Sequence, residues 1–199
     1  TPTLYFSDED QLIYCLAFLN TIVSEKMIAF LNPTLNLLST DICRMPIDFN
    51  KINSVIVEKT KRICYLAKKN WDSLEISWDF NKHFLIGGNK IKELYDTYSN
   101  ESQNERDEYC EILECNNKHF IEKLGLGNEI DYKINNDDIS FDIESISQSI
   151  KSLISYLIGV EMGRYSLDVE GLAYAGGEWN PMNYVTYQPD DDGIIPIYT

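Results

Sequence analysis

Residues 10–30 read DQLIYCLAFLNTIVSEKMIAF, and this stretch decides the fold class. Its apolar residues recur at intervals of three or four, the spacing that places side chains on one face of a helix. The members of this face are Leu12, Leu16, Leu19, Val23, Met27 and Phe30. Ser7 or Asp8 can cap the start, and Asn32-Pro33 ends the helix because a residue before proline avoids the α conformation. The sequence predicts one helix over about 9–31.

Two further helical regions follow. Residues 50–69 form a second predicted helix, whose inward positions are Ile52, Val55, Ile56, Ile63 and Leu66. Residues 89–124 form a third region with a polar middle, and an interruption at Asn100–Asn104 predicts a helical hairpin rather than one rod. The apolar face of its second half comprises Tyr109, Leu113, Phe120 and Leu124.

A fourth helix is predicted over about 143–163. Its apolar residues are Ile143, Ile146, Ile150, Leu153, Ile154, Leu157 and Ile158. Glycines follow the third and fourth regions, and Gly125, Gly127 and Gly163 are expected to act as helix-ending residues, since left-handed C-caps favour glycine.

The predicted fold class is mainly α, a helical bundle or hairpin region with minor β structure at both ends. Residues 3–6 are the N-terminal strand candidate, and the last 36 residues change to a Gly-, Pro- and Asp-containing tail. We expect four segments, 1–49, a helical region 50–127, an acidic linker 128–142, and a final helix and tail 143–199. Because the chain begins at Thr1 without methionine, we expect it to be part of a longer protein.

Composition excludes several classes of protein. The 199 residues are 44% hydrophobic and 25% charged, values typical of a globular protein rather than a disordered one. The net charge of −15 argues against coating DNA or anionic membranes by bulk electrostatics. The sequence has no 18-residue apolar run and no basic-then-apolar leader, so we expect a cytoplasmic protein without membrane partners.

No catalytic, cofactor or metal site is predicted. Five cysteines without a CxxC pair and two histidines, His83 and His119, do not provide a clustered zinc ligand set. We interpret the thiols as reduced and mostly buried, and the histidines as surface or packing residues. Neither Gly87-Gly88 nor Gly125–Gly127 follows a predicted strand, as a phosphate-binding loop requires. The acidic run Asp190–Asp192 is interpreted as a solvated loop rather than a cation site.

The second predicted helix carries the best candidate binding site. Its cations outnumber its acidic residues by five within a chain of net charge −15. The candidate DNA-binding residues are Lys59, Lys61, Arg62, Lys68 and Lys69. Contact with backbone phosphates is the functional interpretation, since phosphates attract cations without reading sequence. The structural interpretation is a solvated helix whose cations pair with acidic neighbours, and charge alone favours it.

The segment Trp71–Phe80 is too apolar for a free loop. We expect its tryptophans to be buried at a helix junction. A base-stacking role would require these rings to be exposed.

Several spaced strings together resemble one family. They are residues 70–80 (NWDSLEISWDF), residues 163–168 (GRYSLD), residues 175–179 (AGGEW) and residues 190–197 (DDDGIIPI). Residues 32–47, from Asn32-Pro33 to Met45-Pro46-Ile47, are similar to the end of a target-recognition region. In this order the strings resemble the C-terminal part of the PglX-like adenine-specific DNA methyltransferases of BREX phage-defence systems, related to type IIG restriction–modification enzymes.

The resemblance implies a large S-adenosylmethionine-dependent parent that methylates adenine N6 at a specific double-stranded DNA site. It also implies that residues 1–49 close a target-recognition region. The family's Asn-Pro-Pro-Tyr or Asn-Pro-Pro-Phe motif does not match at Asn32-Pro33-Thr34 or Asn180-Pro181-Met182, and the glycine-rich cofactor motif is missing. The resemblance therefore implies no catalytic residue and no S-adenosylmethionine site within this segment.

Two functions remain open at this level. The first is a segment that orients the target-recognition domain and contacts DNA phosphates through the second helix. The second is a scaffold that docks other defence-system subunits without touching DNA, as the acidic linker and tail favour.

Overall fold

Six α-helices form the described part of the chain in the computed structural model, which covers residues 3–32, 34, 37–88, 90–135 and 138–191. They are α1 (Glu9–Leu19), α2 (Ile22–Leu31), α3 (Ser39–Cys43), α4 (Ser54–Asp72), α5 (Ile91–Lys123) and α6 (Ile146–Glu161). Short 3₁₀ turns lie at Phe49–Lys51 and Pro181–Asn183. The prediction of a mainly α fold is confirmed.

The single helix expected over 9–31 is wrong. Helices α1 and α2 are separate and bent by 77°. The break occurs at Asn20–Thr21 because the Thr21 hydroxyl accepts a hydrogen bond from the amide of Ser24 and so begins a new helix. The buried face is consequently different from the predicted one, and Phe30 is 89% exposed. Asp8 caps α1, as one of the two predicted residues.

The hairpin expected near Asn100–Asn104 is also wrong, because α5 is one continuous helix of 33 residues. The segment is polar but contains neither glycine nor proline, so nothing in it breaks a helix. Gly125 ends α5 in a left-handed conformation, φ 71°, with the Leu126 amide donating to the Ile121 carbonyl. Gly127 has no positive φ and is not such a cap.

The minor β structure is not found in the described residues. Residues 3–6 have no regular secondary structure and form no ladder, which would require a partner strand to accept and donate backbone hydrogen bonds. Phe6 instead packs edge-on against Phe49, with ring centroids 5.9 Å apart. Residues 192–199, part of the predicted C-terminal β region, lie outside the described residues.

The chain divides into two units, and the first comprises Thr1–Ala67 and Glu105–Ser140. Its core is an apolar cluster contributed by α1, α2, α4, α5 and the Met45 turn. The buried members are Tyr14, Ala17, Phe18, Val23, Met45, Ile56, Val57, Phe120 and Ile121. The side chain of Asn117 on α5 accepts a hydrogen bond from the Ile22 amide, which fixes the start of α2.

The second unit comprises Lys68–Asn104 and Phe141–Thr199. Its core is aromatic, built from Phe80, Tyr156, Val160 and Tyr165. Tyr156 and Tyr165 stack with centroids 5.0 Å apart, and Phe80 meets both rings edge-on. Gly163, φ 73°, ends α6 as predicted and turns the chain so that Tyr165 packs back on the helix.

The cysteines are free thiols. Only Cys15 among them is buried and Cys43 is exposed, so the expectation of mostly buried thiols is wrong.

No single helix in the described ranges has the length and apolar content to span a membrane. The bent pair α1 and α2 meets these two criteria only when both helices are counted together.

Candidate functional site

Helix α4 holds the predicted DNA-binding residues. Asn53 begins it by accepting a hydrogen bond from the Val55 amide at 3.0 Å. The inward side chains, Ile56, Val57, Thr60, Ile63 and Leu66, are buried. Val55, which was predicted to point inward, is exposed. Burial of this stripe leaves the cations on the remaining faces of the helix.

The structure gives each of these cations a partner within the chain. Lys61 pairs with Asp10 at 3.3 Å, and Lys68 pairs with Asp72 at 2.6 Å and with Asp79. Arg62 donates two hydrogen bonds to the Glu108 carboxylate, at 2.8 and 2.7 Å. Lys59 donates to the Cys115 sulfur at 3.0 Å, and Lys69 is not without a partner. The five residues are called the α4 cations below.

These pairs stabilise the charged forms on both sides. The hydrogen bond from Arg62 lowers the pKa of Glu108, and the hydrogen bond from Lys68 lowers the pKa of Asp72. The hydrogen bond to Asp10 raises the pKa of Lys61. The positive potential of α4 is therefore balanced locally by carboxylates, although such exposed pairs are weak and can exchange partners.

Helix α6 presents a different outward surface. It begins with a capping box in which Ser145 and Gln148 satisfy each other's amides. Its inner side buries Ser149, Leu153, Tyr156 and Val160. Its outward side includes polar residues such as Lys151, but it also exposes five large apolar side chains: Ile146, Ile154, Leu157, Ile158 and Met162. We call these five the α6 apolar face.

The two tryptophans of the segment Trp71–Phe80 are exposed, and the expectation that they are buried is wrong. Trp78 is 95% exposed and Trp71 is 52% exposed, while Ile76 beside Trp78 is 70% exposed. Phe80 supplies the buried anchor of this segment instead. Sequence reasoning missed this distribution because three aromatic rings in ten residues do not show which one enters the core.

Trp78 borders a groove of about 460 Å³ within the second unit. The residues that line it are Glu75, Ile76, Ser77, Trp78, Phe80, Ser155, Arg164, Tyr165 and Leu172. The Tyr165 hydroxyl donates to Glu75 Oε1 at 3.2 Å, and the Arg164 guanidinium lies 5.3 Å from the Tyr165 ring centroid. Burial, reinforced by the Glu75 charge, raises the pKa of Tyr165 to about 12. We call it the Trp78 groove.

The histidines have packing roles in the structure. His83 is buried, accepts at Nδ1 from the Leu85 amide and shares a hydrogen bond with Ser152 through Nε2 at 3.0 Å. His119 shares a 2.9 Å hydrogen bond with the Tyr14 hydroxyl. Burial lowers the pKa of both rings. Within the described ranges, no group of three His, Cys, Asp or Glu residues could hold a metal ion, and Asp192 of the acidic run lies outside them.

Comparison with known proteins gives two relatives, while no protein-family model matches the chain. "Adenine-specific methyltransferase PglX" of Lacticaseibacillus casei (strain Zhang) is 32% identical over 200 residues. "Adenine-specific methyltransferase BrxX" of Escherichia coli O9:H4 (strain HS) is 31% identical over 218 residues. Each match covers 96% of this chain, but the chain spans only 16% and 18% of the two relatives. The chain is thus a homologue of a segment of the PglX and BrxX adenine-specific methyltransferases, and the resemblance seen in its sequence is confirmed.

Proposed function

We propose that this chain is a helical, non-catalytic segment of a site-specific DNA adenine-N6 methyltransferase of a BREX or restriction–modification phage-defence system. Its function is to orient the target-recognition domain by docking against other parts of the same polypeptide. S-adenosylmethionine and double-stranded DNA are the expected cofactor and substrate of the longer protein, and no residue described here is assigned to the chemical step.

The α6 apolar face carries this proposal. A soluble surface rarely leaves several large aliphatic side chains together in water, and such patches mark interaction sites. The relatives extend far beyond the matched segment, since it accounts for 16% and 18% of their lengths. A protein of that length supplies further surfaces against which α6 can bury Ile154, Leu157 and Ile158.

The test compares two sets of variants in the isolated chain and in the full-length methyltransferase. Ile154→Ser combined with Ile158→Ser alters the α6 apolar face, and Val55→Ser is the matched control because Val55 is an exposed aliphatic residue on α4. We expect neither set to change the thermal stability of the isolated chain. In the full-length protein, only the α6 variant should lower the melting temperature and the rate of DNA methylation.

Equal behaviour of the two sets in the full-length protein would contradict docking through α6. If α6 does dock, hydrogen exchange distinguishes its two candidate partners, which are other parts of the same polypeptide and other defence-system subunits. Protection of 146–162 in the full-length protein alone supports the orienting role. Protection that appears only after other defence subunits are added supports the scaffold alternative.

Phosphate contact by the α4 cations is a second candidate function. The observation in its favour is that Lys61, Arg62 and Lys68 are themselves exposed cations that pair with carboxylates, and phosphates can compete for such pairs. Charge reversal of these three residues should weaken DNA binding by the full-length protein to the same extent on all sequences. Lys118→Glu on α5 is the control, since Lys118 is exposed and pairs with Glu122 only at 4.0 Å.

The salt dependence of binding gives the decisive comparison for this second candidate. Phosphate contacts lose affinity steeply between about 50 and about 200 mM salt. The triple reversal should reduce that slope, whereas Lys118→Glu should not. An unchanged affinity and slope would remove the α4 cations from the DNA interface.

A further inference from the structure

The Trp78 groove combines three groups that the function proposed above does not use. They are the freely exposed Trp78 indole, the Arg164 guanidinium and the Glu75 carboxylate. The walls are fixed, because Phe80 and Tyr165 belong to the aromatic core and the Gly171 amide donates to the Asn81 carbonyl at 2.8 Å. Trp78 is therefore displayed from a packed segment and not from a loose loop.

Arg164 differs from the α4 cations in its surroundings. Within the described part of the chain, no carboxylate lies within ion-pair distance of Arg164. By contrast, Arg62 pairs with one carboxylate and Lys68 pairs with two. Its guanidinium lies instead over the face of Tyr165, 5.3 Å from the centroid. In a chain of net charge −15, this cation has charge available for an anionic ligand.

Glu75 supplies the complementary polar group at the other end of the same ring. The Tyr165 hydroxyl occupies Oε1 at 3.2 Å, and a carboxylate has further lone pairs that can accept a donor from a ligand. The Tyr165 ring is therefore contacted by Glu75 at its hydroxyl and by Arg164 over its face. Ile76 and Leu172 add exposed apolar surface beside Trp78.

We propose that the Trp78 groove binds an unpaired nucleotide whose base carries an exocyclic amino group. The base stacks on Trp78, because base–aromatic stacking is a general means of holding single-stranded nucleic acid. The amino group donates to Glu75, as amino bases do to carboxylates, and Arg164 contacts the adjoining phosphate. The groove volume of about 460 Å³ leaves room for one nucleotide.

The experiment measures binding of this chain to fluorescein-labelled 12-nucleotide oligo(dA) and oligo(dT) by fluorescence polarisation at about 50 mM salt. Oligo(dA) should bind more tightly than oligo(dT), because thymine has no exocyclic amino group. Trp78→Ala should weaken binding of oligo(dA) roughly tenfold. Trp71→Ala is the matched control, since Trp71 is exposed in the same unit but does not line the groove, and it should leave binding unchanged.

Two further variants test the roles of Glu75 and Arg164 in nucleotide binding. Glu75→Ala should remove most of the preference for oligo(dA), and Arg164→Gln should weaken both strands and reduce the salt dependence by about one phosphate contact. Circular dichroism verifies that each variant is folded. Equal losses for Trp78→Ala and Trp71→Ala, or no binding of either strand, would overturn the proposal.

Docking of a protein segment in the groove is the competing outcome. In that case Trp78→Ala would destabilise the full-length methyltransferase, and neither oligonucleotide would bind the isolated chain. This result would also overturn the proposal. The groove does not include the α6 apolar face. Failure of docking through α6 would therefore leave the oligonucleotide result unchanged, and the two proposals fail separately.

Discussion

Helices α4 and α6 are both amphipathic and similar in length, yet their outward surfaces are opposite in kind. The outward surface of α4 carries the α4 cations, and each of them has a partner within the chain. The outward surface of α6 carries the α6 apolar face, five large apolar side chains that are exposed to solvent. The cations of α4 are the more conspicuous feature of the sequence, yet the fold supplies them with partners. The apolar residues of α6 are less conspicuous, and the fold leaves them exposed.

The difference shows which surface favours a partner. An exposed ion pair is already near its lowest free energy in water, so exchanging its carboxylate for another anion changes the free energy little. Exposed apolar area, by contrast, gains roughly 25 cal/mol for each Å² removed from water. Protein docking therefore favours α6 over α4.

The largest effect is expected when the same substitution, leucine to alanine, is made on α4 and on α6. Leu66 on α4 is 0% exposed and Leu157 on α6 is 44% exposed. Leu66→Ala should lower the free energy of unfolding by about 2–5 kcal/mol, because it leaves a cavity in a packed site. Leu157→Ala should change it by less than about 0.5 kcal/mol. Urea unfolding followed by circular dichroism measures both, and similar losses would show that the α6 apolar face is already covered in the isolated chain.

A second prediction probes the inner side of α6. A methyl group added at Gly159 would lie 2.6 Å from Cδ2 and 2.8 Å from Cε2 of Tyr165, a buried ring stacked on Tyr156. Gly159→Ala should therefore destabilise the chain by about 1–3 kcal/mol, even though alanine gains roughly 1 kcal/mol over glycine within a helix. Gly127→Ala is the control, since its methyl group would meet nothing within 4 Å. A more stable Gly159→Ala variant would contradict the close packing of Tyr165.

Much of the fold could be predicted from the sequence because it depends on local periodicity. The spacing of apolar residues indicated four helical regions, and Gly125 and Gly163 marked two ends correctly. The break at Thr21 could not be predicted from periodicity, since apolar residues continue on both sides. The start of α2 depends on the Thr21 cap and on the hydrogen bond from the Ile22 amide to Asn117, which is 95 positions away. The hairpin prediction fails for the opposite reason, since the polar residues at 100–104 include no glycine or proline to break the helix.

The candidate site was less predictable because it depends on contacts between residues distant in sequence. Arg62 and Glu108 are 46 positions apart, and Lys61 and Asp10 are 51 apart, so neither pair is visible in a local window. The exposure of Trp78 likewise depends on Phe80 filling the position against Tyr156 and Tyr165. Local sequence identifies the residue types, but only tertiary packing decides which of them reach solvent.

A third prediction concerns the pH dependence of stability through His83, which attaches its loop to the inner side of α6 at Ser152. Burial lowers the pKa of His83, against the opposing charges of Glu144 and Glu75. The unfolded chain, with a histidine pKa near 6.5, therefore binds the proton first as the pH falls. The stability that depends on neutral His83 is complete above about pH 6.5 and decreases below it.

Urea midpoints between about pH 8 and pH 5.5 measure this change. His119 is shifted in the same direction, by burial and then by the Lys123 charge, so His119→Gln is the companion variant. Each substitution should flatten part of the pH dependence. A midpoint that rises on acidification, or a slope that His83→Gln leaves intact, would contradict the burial of neutral His83.

The smallest effect is expected at the α4 surface. Arg62 and Glu108 form the best-oriented exposed pair of α4, with two hydrogen bonds. A double-mutant cycle of Arg62→Gln and Glu108→Gln should give only a small coupling energy, lost at about 1 M salt because the Debye length falls to about 3 Å. A coupling that persists at high salt would mean that the pair is shielded from water. Arg62 would then be a structural cation, and phosphates could not displace Glu108. A small, screened coupling would instead keep Arg62 available to a phosphate without loss of stability.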